Sequence, residues 1–334
     1  MTTANNDVQV SSVTLNPGGG MTFGGSIAEQ LMHSGFRAEA LRPMTTLRKD
    51  EWEVLDQALI EVTRQRLRGV GDLMSRGLTY NLGNALGVTR LEWETVSDMN
   101  PAEVNMSGLT EAENDRITYG LTGMPIPIIH KDFHINIRAL SASRNRGEAL
   151  DTTQVRYATR KVSEMIESLL FSGGYSVGAQ GAVYGYTNYP NRNTDSVTAT
   201  WVTATGAQIL ADVLEMIGVA QGDFMWGPYV LYVPEAVLVN MSNDYKAESD
   251  KTILQRVLEV PGISAVLPSY NLSASNVVLV QMTSDVVDMV NGMQPTVLQW
   301  ESHGGMMVNF KVMAIMVPRM KADDNTRCGI VHYS

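Results

Sequence analysis

The sequence is poor in the residues on which several kinds of site depend. Its one cysteine, Cys328, excludes an intrachain disulfide framework and a cysteine-rich metal cage. No apolar run approaches the roughly 20 residues that a membrane-spanning helix requires. The start, MTTANNDVQVSSV, lacks the basic and apolar segments of a secretory signal. We therefore expect a soluble protein that is stabilised by packing or by assembly.

Positive charge is also scarce. The chain has 25 Lys and Arg against 35 Asp and Glu, a net charge of -10. This balance argues against a protein whose main task is to grip phosphates, because nucleic-acid affinity rests on clustered basic residues. With 334 residues, 44% of them hydrophobic, the chain can bury a sizeable core, and its length suggests two compact lobes.

The segment from Pro125 to Gly173 is the most informative. Pro125 and Pro127 favour an extended chain, and the residues after them alternate as in a strand. Asp151 or Thr152 can then cap a long helix that ends at Gly173. Its apolar face is predicted to contain Val155, Ala158, Val162, Met165, Ile166, Leu169 and Leu170. Its outer faces are predicted to carry Arg156, Arg160, Lys161, Glu164 and Glu167 as near-neighbour charge pairs.

The rest of the chain mixes helical and strand patterns. Periodicity predicts helices from Lys49 to near Gly69 and over 205–219, 234–241 and 252–259. It predicts strands over 229–233, 277–282, 296–301 and 306–317, and a linking loop over 174–200. Residues 91–134 are interpreted as a long two-stranded excursion, which is marginal alone and needs a partner. The predicted fold class is α+β.

One motif suggests catalysis. Gly174-Tyr175-Ser176-Val177-Gly178 matches the nucleophile elbow G-x-S-x-G, which would make the chain a serine hydrolase that uses Ser176. That elbow needs a strand before the serine and a helix after it. Here a predicted helix precedes Ser176 and a Gly-rich loop follows, so the pattern favours a flexible loop.

The remaining polar patterns also favour ordinary surface positions. On a helix, His130 and His134 would place both imidazoles on one side for a metal ion. Pro127 and the alternation favour a strand, on which His130, Asp132 and His134 share a face but lack a partner Glu or Cys motif. The glycines of the first 48 residues lack a phosphate-binding fingerprint. Two acidic clusters are interpreted as solvated loops: Glu111, Glu113 and Asp115, and Asp323 and Asp324. We predict no catalytic, cofactor-binding or metal-binding residues and no enzyme activity.

Four segments, taken in order, resemble an HK97-fold shell protein. They are the helix DEWEVLDQALIEVTRQRLRG, the strand PIPIIHKDFHINIRAL, the helix LDTTQVRYATRKVSEMIESLLFSG, and the lobe from WGPYVLYVPEAVLVNM to VMAIMVPRM. The resemblance covers Lys49 to the C-terminus. It is most similar to the encapsulin-like branch, through Leu150-Asp151, Leu170-Phe171-x-Gly173 and Gly227-Pro228-Tyr229.

The resemblance implies a domain organisation in which two lobes interleave. Its parts would be an extended N-terminal arm (1–48), an N-terminal helix and connection (49–90), an extended β-hairpin loop that reaches across a neighbouring subunit (91–134), a peripheral domain (135–199 and 294–334) with a spine helix (150–173), and an axial domain (200–293) that meets its copies around symmetry axes.

The resemblance also implies a function. The family includes tailed-bacteriophage major capsid proteins, which enclose double-stranded DNA, and encapsulins, which enclose cargo enzymes. Because an arm of 48 residues precedes Lys49, we favour a capsid protein that assembles through pentamers and hexamers into an icosahedral virion shell. It would enclose DNA without sequence-specific binding and would work with scaffold, portal and decoration proteins. An encapsulin compartment is the alternative.

Overall fold

The computed structural model describes residues 14–15, 21–22, 49–97, 99, 104, 106, 116–138, 141–142, 152–178, 181–246 and 250–334. The helices are α1 (Lys49–Arg66), α2 (Gly69–Ser75), α3 (Thr153–Ser172), α4 (Gly206–Gly222), α5 (Glu235–Met241) and α6 (Ile253–Leu258). The strands are β1 (Thr14–Leu15), β2 (Met21–Thr22), β3 (Thr79–Asn81), β4 (Arg90–Val96), β5 (Tyr119–Pro125), β6 (Ile129–Asn136), β7 (Tyr175–Ser176), β8 (Ala182–Val183), β9 (Asn193–Asp195), β10 (Tyr229–Pro234), β11 (Ile263–Ser269), β12 (Val277–Gln281), β13 (Val287–Ser302), β14 (Met307–Met320) and β15 (Ile330–Tyr333). The predicted α+β class is confirmed.

Several predictions fall on residues that lie outside this description. They include most of the 1–48 arm, the acidic cluster Glu111, Glu113 and Asp115, and the proposed cap Asp151. Within the arm, the described strands β1 and β2 pair antiparallel.

The chain divides into two compact units. The smaller unit comprises residues 1–58, 132–155 and 297–311, and the larger unit comprises 59–131, 156–296 and 312–334. Both units are assembled from separated stretches of chain. The finer domain boundaries that the resemblance implies stay a prediction.

In the smaller unit, aromatic and charged contacts join the 132–155 and 297–311 stretches. Phe133 stacks on Phe310 with ring centroids 5.0 Å apart, and Lys311 Nζ lies 3.6 Å from a carboxylate oxygen of Asp132. The backbone N–H of Ile137 donates to the carbonyl of Met306 at 3.2 Å. These contacts fix the alternation that the sequence predicted for this strand.

A four-stranded sheet has the order β3-β13-β14-β6. The predicted strand 296–301 is only the second half of the 16-residue β13. The predicted excursion also ends too late at His134, because pairing with β4 stops at Pro125 and β6 joins this other sheet. Proline lacks the N–H that a strand ladder needs, so Pro125 and Pro127 interrupt the ribbon.

In the larger unit, a five-stranded sheet has the order β11-β10-β12-β15-β9. Every residue of β10 is buried, as expected of a continuous apolar run in a covered sheet. The sequence prediction missed β9, β11 and β15. β15 pairs antiparallel with β12 inside this sheet.

The long helix α3 confirms the helix that was predicted over 150–173, within three residues at each end. Most of its predicted apolar face is buried, but Met165 is 46% exposed, and that assignment was wrong. A second correction concerns Glu167, which was predicted on an outer face and is 1% exposed. Gly173, with a φ of +58°, ends the helix where a side chain would meet the backbone of Gly185.

Candidate functional site: the extended hairpin and its anchor

Strands β4 and β5 form a two-stranded antiparallel ribbon. Its register runs from Arg90 opposite Pro125 at the base to Val96 opposite Tyr119 at the far end. Because side chains alternate along a strand, the ribbon has two distinct faces. The base is buried at Leu91 and Met124, which also pair with each other.

The far end of the ribbon carries an exposed apolar face. Val96 is 48%, Tyr119 69% and Leu121 66% exposed, and the register places all three on one face with Glu94. An isolated two-stranded ribbon buries too little to be stable in water, and grouped exposed apolar side chains commonly mark an interaction surface. We call these three residues the hairpin face.

The opposite face of the ribbon contacts Arg319 of β14. The Arg319 guanidinium carbon lies 5.5 Å from the ring centroid of Trp93 in β4 and 4.7 Å from that of Tyr80 in β3. Arg319 itself is 7% exposed. A desolvated cation between two aromatic rings is attracted to both ring faces.

Asp288 of β13 neutralises this buried arginine. Arg319 Nε donates to Asp288 Oδ1 at 2.8 Å, and Nη2 donates to Oδ2, so the pair is bidentate. Lys321 Nζ donates to the same Oδ2 at 2.7 Å and to the Ser284 carbonyl at 2.6 Å. A buried charge persists only when it is paired and hydrogen-bonded, and both conditions are met here.

A second buried carboxylate holds the joint between α1 and α2. Glu167 of α3 accepts hydrogen bonds from the backbone N–H groups of Gly69 at 2.6 Å and Val70 at 3.2 Å. These groups belong to the first turn of α2, where backbone donors lack partners within the helix. Burial raises the pKa of the Glu167 carboxyl to about 7, and the backbone donors of Gly69, Val70 and Arg68 oppose that rise.

A surface cleft lies beside this joint, lined by Gln65, Arg66, Arg68, Arg160, Glu164, Glu235, Tyr270 and Asn271. Its charges largely pair with one another. Arg68 lies 3.5 Å from Glu235, and Arg160 Nε donates to Glu164 at 2.6 Å. The cleft therefore offers little net charge to a ligand. The Arg160–Glu164 pair confirms a charge pair that helical spacing predicted.

The geometry around Ser176 differs from a nucleophile elbow. Ser176 lies in the two-residue strand β7, which follows α3 and pairs with β8. The strand-serine-helix order that exposes a strained hydroxyl is therefore replaced by helix, strand, strand. The loop predicted over 174–200 was therefore wrong in part, since it contains the strands β7, β8 and β9. The helix, strand, strand order gives the serine hydrolase alternative no support.

The other candidate polar residues are dispersed. His130 and His134 are exposed on β6, on strand spacing rather than helical spacing. Asp323 Oδ1 accepts from the backbone N–H of Arg327 at 2.7 Å, so it closes a local turn. Among the described residues, no group of three or more His, Cys, Asp or Glu side chains is placed to hold a metal ion. None of the described helices is long and apolar enough to cross a membrane.

Several solved structures of similar fold are shells. The virus-like particle of Pyrococcus furiosus matches with a TM-score of 0.60 at 18% identity, over 84% of this chain and 98% of that chain. The capsid of the native GTA particle matches at 0.56 and 12% identity, over 80% and 91%. The capsid of Myoviridae phage XM1 matches at 0.55 and 11% identity, over 75% and 88%. The protein has the HK97 fold of phage capsids and encapsulin-like shells.

The family follows from the sequence. A family model described as a family of unknown function, DUF6260, matches residues 40–333, and the chain belongs to that family. The type 1 encapsulin shell protein EncA of Myxococcus xanthus (strain DK1622) is 29% identical over 136 residues, which are 40% of this chain and 45% of that protein. The matched part thus spans less than half of this relative.

Sequence reasoning missed the three residues that organise this region. Trp93 and Arg319 were not singled out, and no local pattern links them, since their contact joins strands that are distant in sequence. Glu167 looked like a surface charge. The sequence signal that could have revealed it is the four-residue spacing of Thr159, Ser163 and Glu167, which places all three on one side of α3. In the structure, Thr159 and Ser163 are both 0% exposed.

Proposed function

We propose that the chain is the subunit of an icosahedral shell, a tailed-bacteriophage major capsid protein that encloses double-stranded DNA. The observation that carries the proposal is the HK97 fold, shared with shells over 75 to 84% of this chain. The subunits would assemble through pentamers and hexamers, and the shell would form part of the virion. Scaffold, portal and decoration proteins are the partners that such a shell would need.

The hairpin face supplies the contact that assembly requires. Val96, Tyr119 and Leu121 lie on a ribbon that is covered at its base and exposed at its far end. On a neighbouring copy of this chain, these apolar side chains would be removed from water. A closed lattice repeats such a contact in every subunit, so modest contacts add up to a stable shell.

The segment before α1 favours a capsid over a cargo compartment. Residues 1–48 would serve as an arm over a neighbour, and 48 residues of fully extended chain could span up to about 150 Å. An arm of this kind would tie subunits together. Net charge of -10 agrees weakly with an enclosure that holds DNA without binding it.

An encapsulin-type compartment is the second candidate, and one observation favours it. The relative EncA, an encapsulin shell protein, is 29% identical over the matched 136 residues, well above the 11 to 18% of the shells that match in fold. The two candidates share the shell and differ in its contents, which would be DNA in one and an enzyme in the other.

The first experiment is electron microscopy of the full-length chain after size-exclusion chromatography. We expect closed shells of uniform diameter, or regular pentamers and hexamers. A stable monomer at high concentration, both alone and in the presence of lysate from the organism that encodes it, would contradict the shell proposal.

The contents require shells purified from that organism. After nuclease digestion of the outside, the shells are opened, and protected DNA and co-purified proteins are measured. Protected double-stranded DNA supports the capsid, whereas a stoichiometric enzyme without DNA supports the compartment. A recombinant shell alone does not distinguish them, because DNA packaging needs further components.

A further inference from the structure

We propose that Arg319 is the positioning residue of the β4–β5 hairpin, and that shell assembly depends on it more strongly than folding of the subunit does. The inference rests on the proposed function, in which the hairpin face contacts a neighbouring subunit. The further step is that Arg319 sets the direction of the hairpin and therefore the position of the hairpin face.

The contact geometry places one cation between two elements of the larger unit. Tyr80 is fixed in the four-stranded sheet, because its strand β3 pairs with β13 opposite Val290. Trp93 belongs to the hairpin, opposite Thr122. The Arg319 guanidinium lies within 4.7 and 5.5 Å of the two rings, so it joins the hairpin to the sheet.

An arginine suits this position for a geometric reason. Its planar guanidinium donates two hydrogen bonds to Asp288 in its own plane, while its faces stay available to aromatic rings. A lysine would keep the charge beside Asp288 but has neither the bidentate fork nor the flat face. Arg319→Lys therefore keeps the positive charge and removes the planar geometry that orients the rings of Tyr80 and Trp93.

The anchor acts close to the functional face. Trp93 and Val96 are three residues apart on β4, which corresponds to about 10 Å along a strand. Among the described residues beyond the anchor, the ribbon continues through the cross-strand pairs Glu94 with Leu121 and Val96 with Tyr119. A change of direction at Trp93 therefore displaces Val96 and Tyr119.

Spin-label distances test the anchor directly. Labels attached after Leu121→Cys and Val239→Cys report the separation of the hairpin from α5, and both positions are exposed. The natural Cys328 is 0% exposed, so we expect it to escape labelling. Treating the parent chain, which has no introduced cysteine, with the same spin label checks this. Labelled full-length chain is mixed with excess unlabelled chain so that only distances within one subunit are seen.

Four substitutions are compared, in the labelled chain for distances and in the otherwise unchanged chain for shell yield, because Leu121 belongs to the hairpin face. Arg319→Lys and Trp93→Leu are expected to widen the distance distribution about twofold and to lower the yield of closed shells about tenfold, because a small loss in each repeated contact multiplies over a lattice. Trp93→Phe keeps an aromatic ring and is expected to retain most of the yield. Arg327→Lys is the matched control, since Arg327 stacks on Phe224 at 4.9 Å outside the hairpin.

The outcomes separate this inference from the proposed function. Unchanged distances in both Arg319→Lys and Trp93→Leu would overturn the anchor. Wider distances with normal yield and diameter of shells would overturn the dependence of assembly on it. If the parent chain forms no shells, the proposed function fails, while the distances still decide whether Arg319 positions the hairpin. Trp93→Leu leaves the ion pairs intact, so it keeps the test valid if Arg319→Lys unfolds.

Discussion

The indole N–H of Trp201 donates a 2.7 Å hydrogen bond to the carboxylate of Asp212, and both residues are 1% exposed. The backbone N–H of Thr198 donates to the same carboxylate at 3.3 Å, and the Thr198 hydroxyl donates to its other oxygen. The buried charge is thus stabilised by three donors. This arrangement ties the segment before α4 to the helix itself.

Replacing Trp201 by phenylalanine should lower the free energy of unfolding and leave the exposed side chains unchanged. Trp201→Phe removes one donor from a buried carboxylate and leaves a cavity where the larger ring was, which together cost at least about 1 to 3 kcal/mol in the free energy of unfolding. Trp226→Phe is the control: Trp226 is 67% exposed, and a surface change of this kind stays within about 0.5 kcal/mol. Chemical denaturation of both variants in the same assembly state measures the difference, and equal effects would contradict the role of the buried bond.

Glu167 should give the free energy of unfolding an unusual dependence on pH. Its pKa rises from 4.5 to about 7 on folding, so the folded state binds the proton more tightly. The stabilisation from this proton is fully present below pH 4.5 and is lost as pH rises through about 7. Since one pKa unit corresponds to about 1.4 kcal/mol, the contribution amounts to about 3 kcal/mol.

Glu167→Gln isolates that contribution, because its side chain does not titrate. We expect the free energy of unfolding of the parent chain, minus that of the variant, to fall by about 3 kcal/mol as pH rises from acid to about 8. Arg68, Tyr186, Tyr232 and Tyr270 interact electrostatically with Glu167 and are common to both chains, so their effects largely cancel. A difference that is constant with pH would show that Glu167 titrates normally.

Cys328 should be unreactive while the chain is folded. It is 0% exposed, and burial raises the pKa of its thiol to about 12. Since the thiolate is the reactive form, we expect negligible reaction with a disulfide reagent in native buffer and one thiol per chain in denaturant. Rapid reaction of the native chain at neutral pH would contradict the buried position and would also prevent selective spin labelling.

The arm gives a fourth prediction. Removing residues 1–48 should leave a folded chain, because the described elements from α1 onward include both large sheets. We expect this truncated chain to unfold cooperatively but to form fewer or weaker shells. Circular dichroism and electron microscopy of the same sample measure the two properties separately, and shells as stable as those of the full chain would rule out a lattice-tying role.

Local patterns predicted much of the fold because they reflect burial along one element. The alternation in β6, the apolar run of β10 and the apolar stripe of α3 each follow from which side of the element is covered. The resemblance, which combined these elements in order, identified the HK97 fold. Short strands such as β9 and β15 escaped, since three or four residues contain too little periodicity.

The anchor was beyond sequence reasoning for a different reason. Arg319 contacts Asp288, 31 residues away, and the rings of Tyr80 and Trp93, which are much farther along the chain. Such a contact depends on sheet order, which no single-element pattern encodes. Glu167 was misplaced because charge alone suggested solvent, whereas the free backbone donors of α2 provide it with buried partners.

The hairpin face gives the most direct test of assembly. Tyr119→Ser combined with Leu121→Ser should leave the subunit folded, because both side chains are already exposed to water in the single chain. Each apolar side chain buried on a partner stabilises the contact by about 1.5 to 3 kcal/mol, so we expect the concentration at which shells form to rise at least tenfold.

Thr122→Ser, on the opposite face of the same strand, is the matched control. Light scattering against concentration measures the threshold for all three chains. If the double variant assembles at the parent's threshold while the control does too, the hairpin face lies outside the subunit contact.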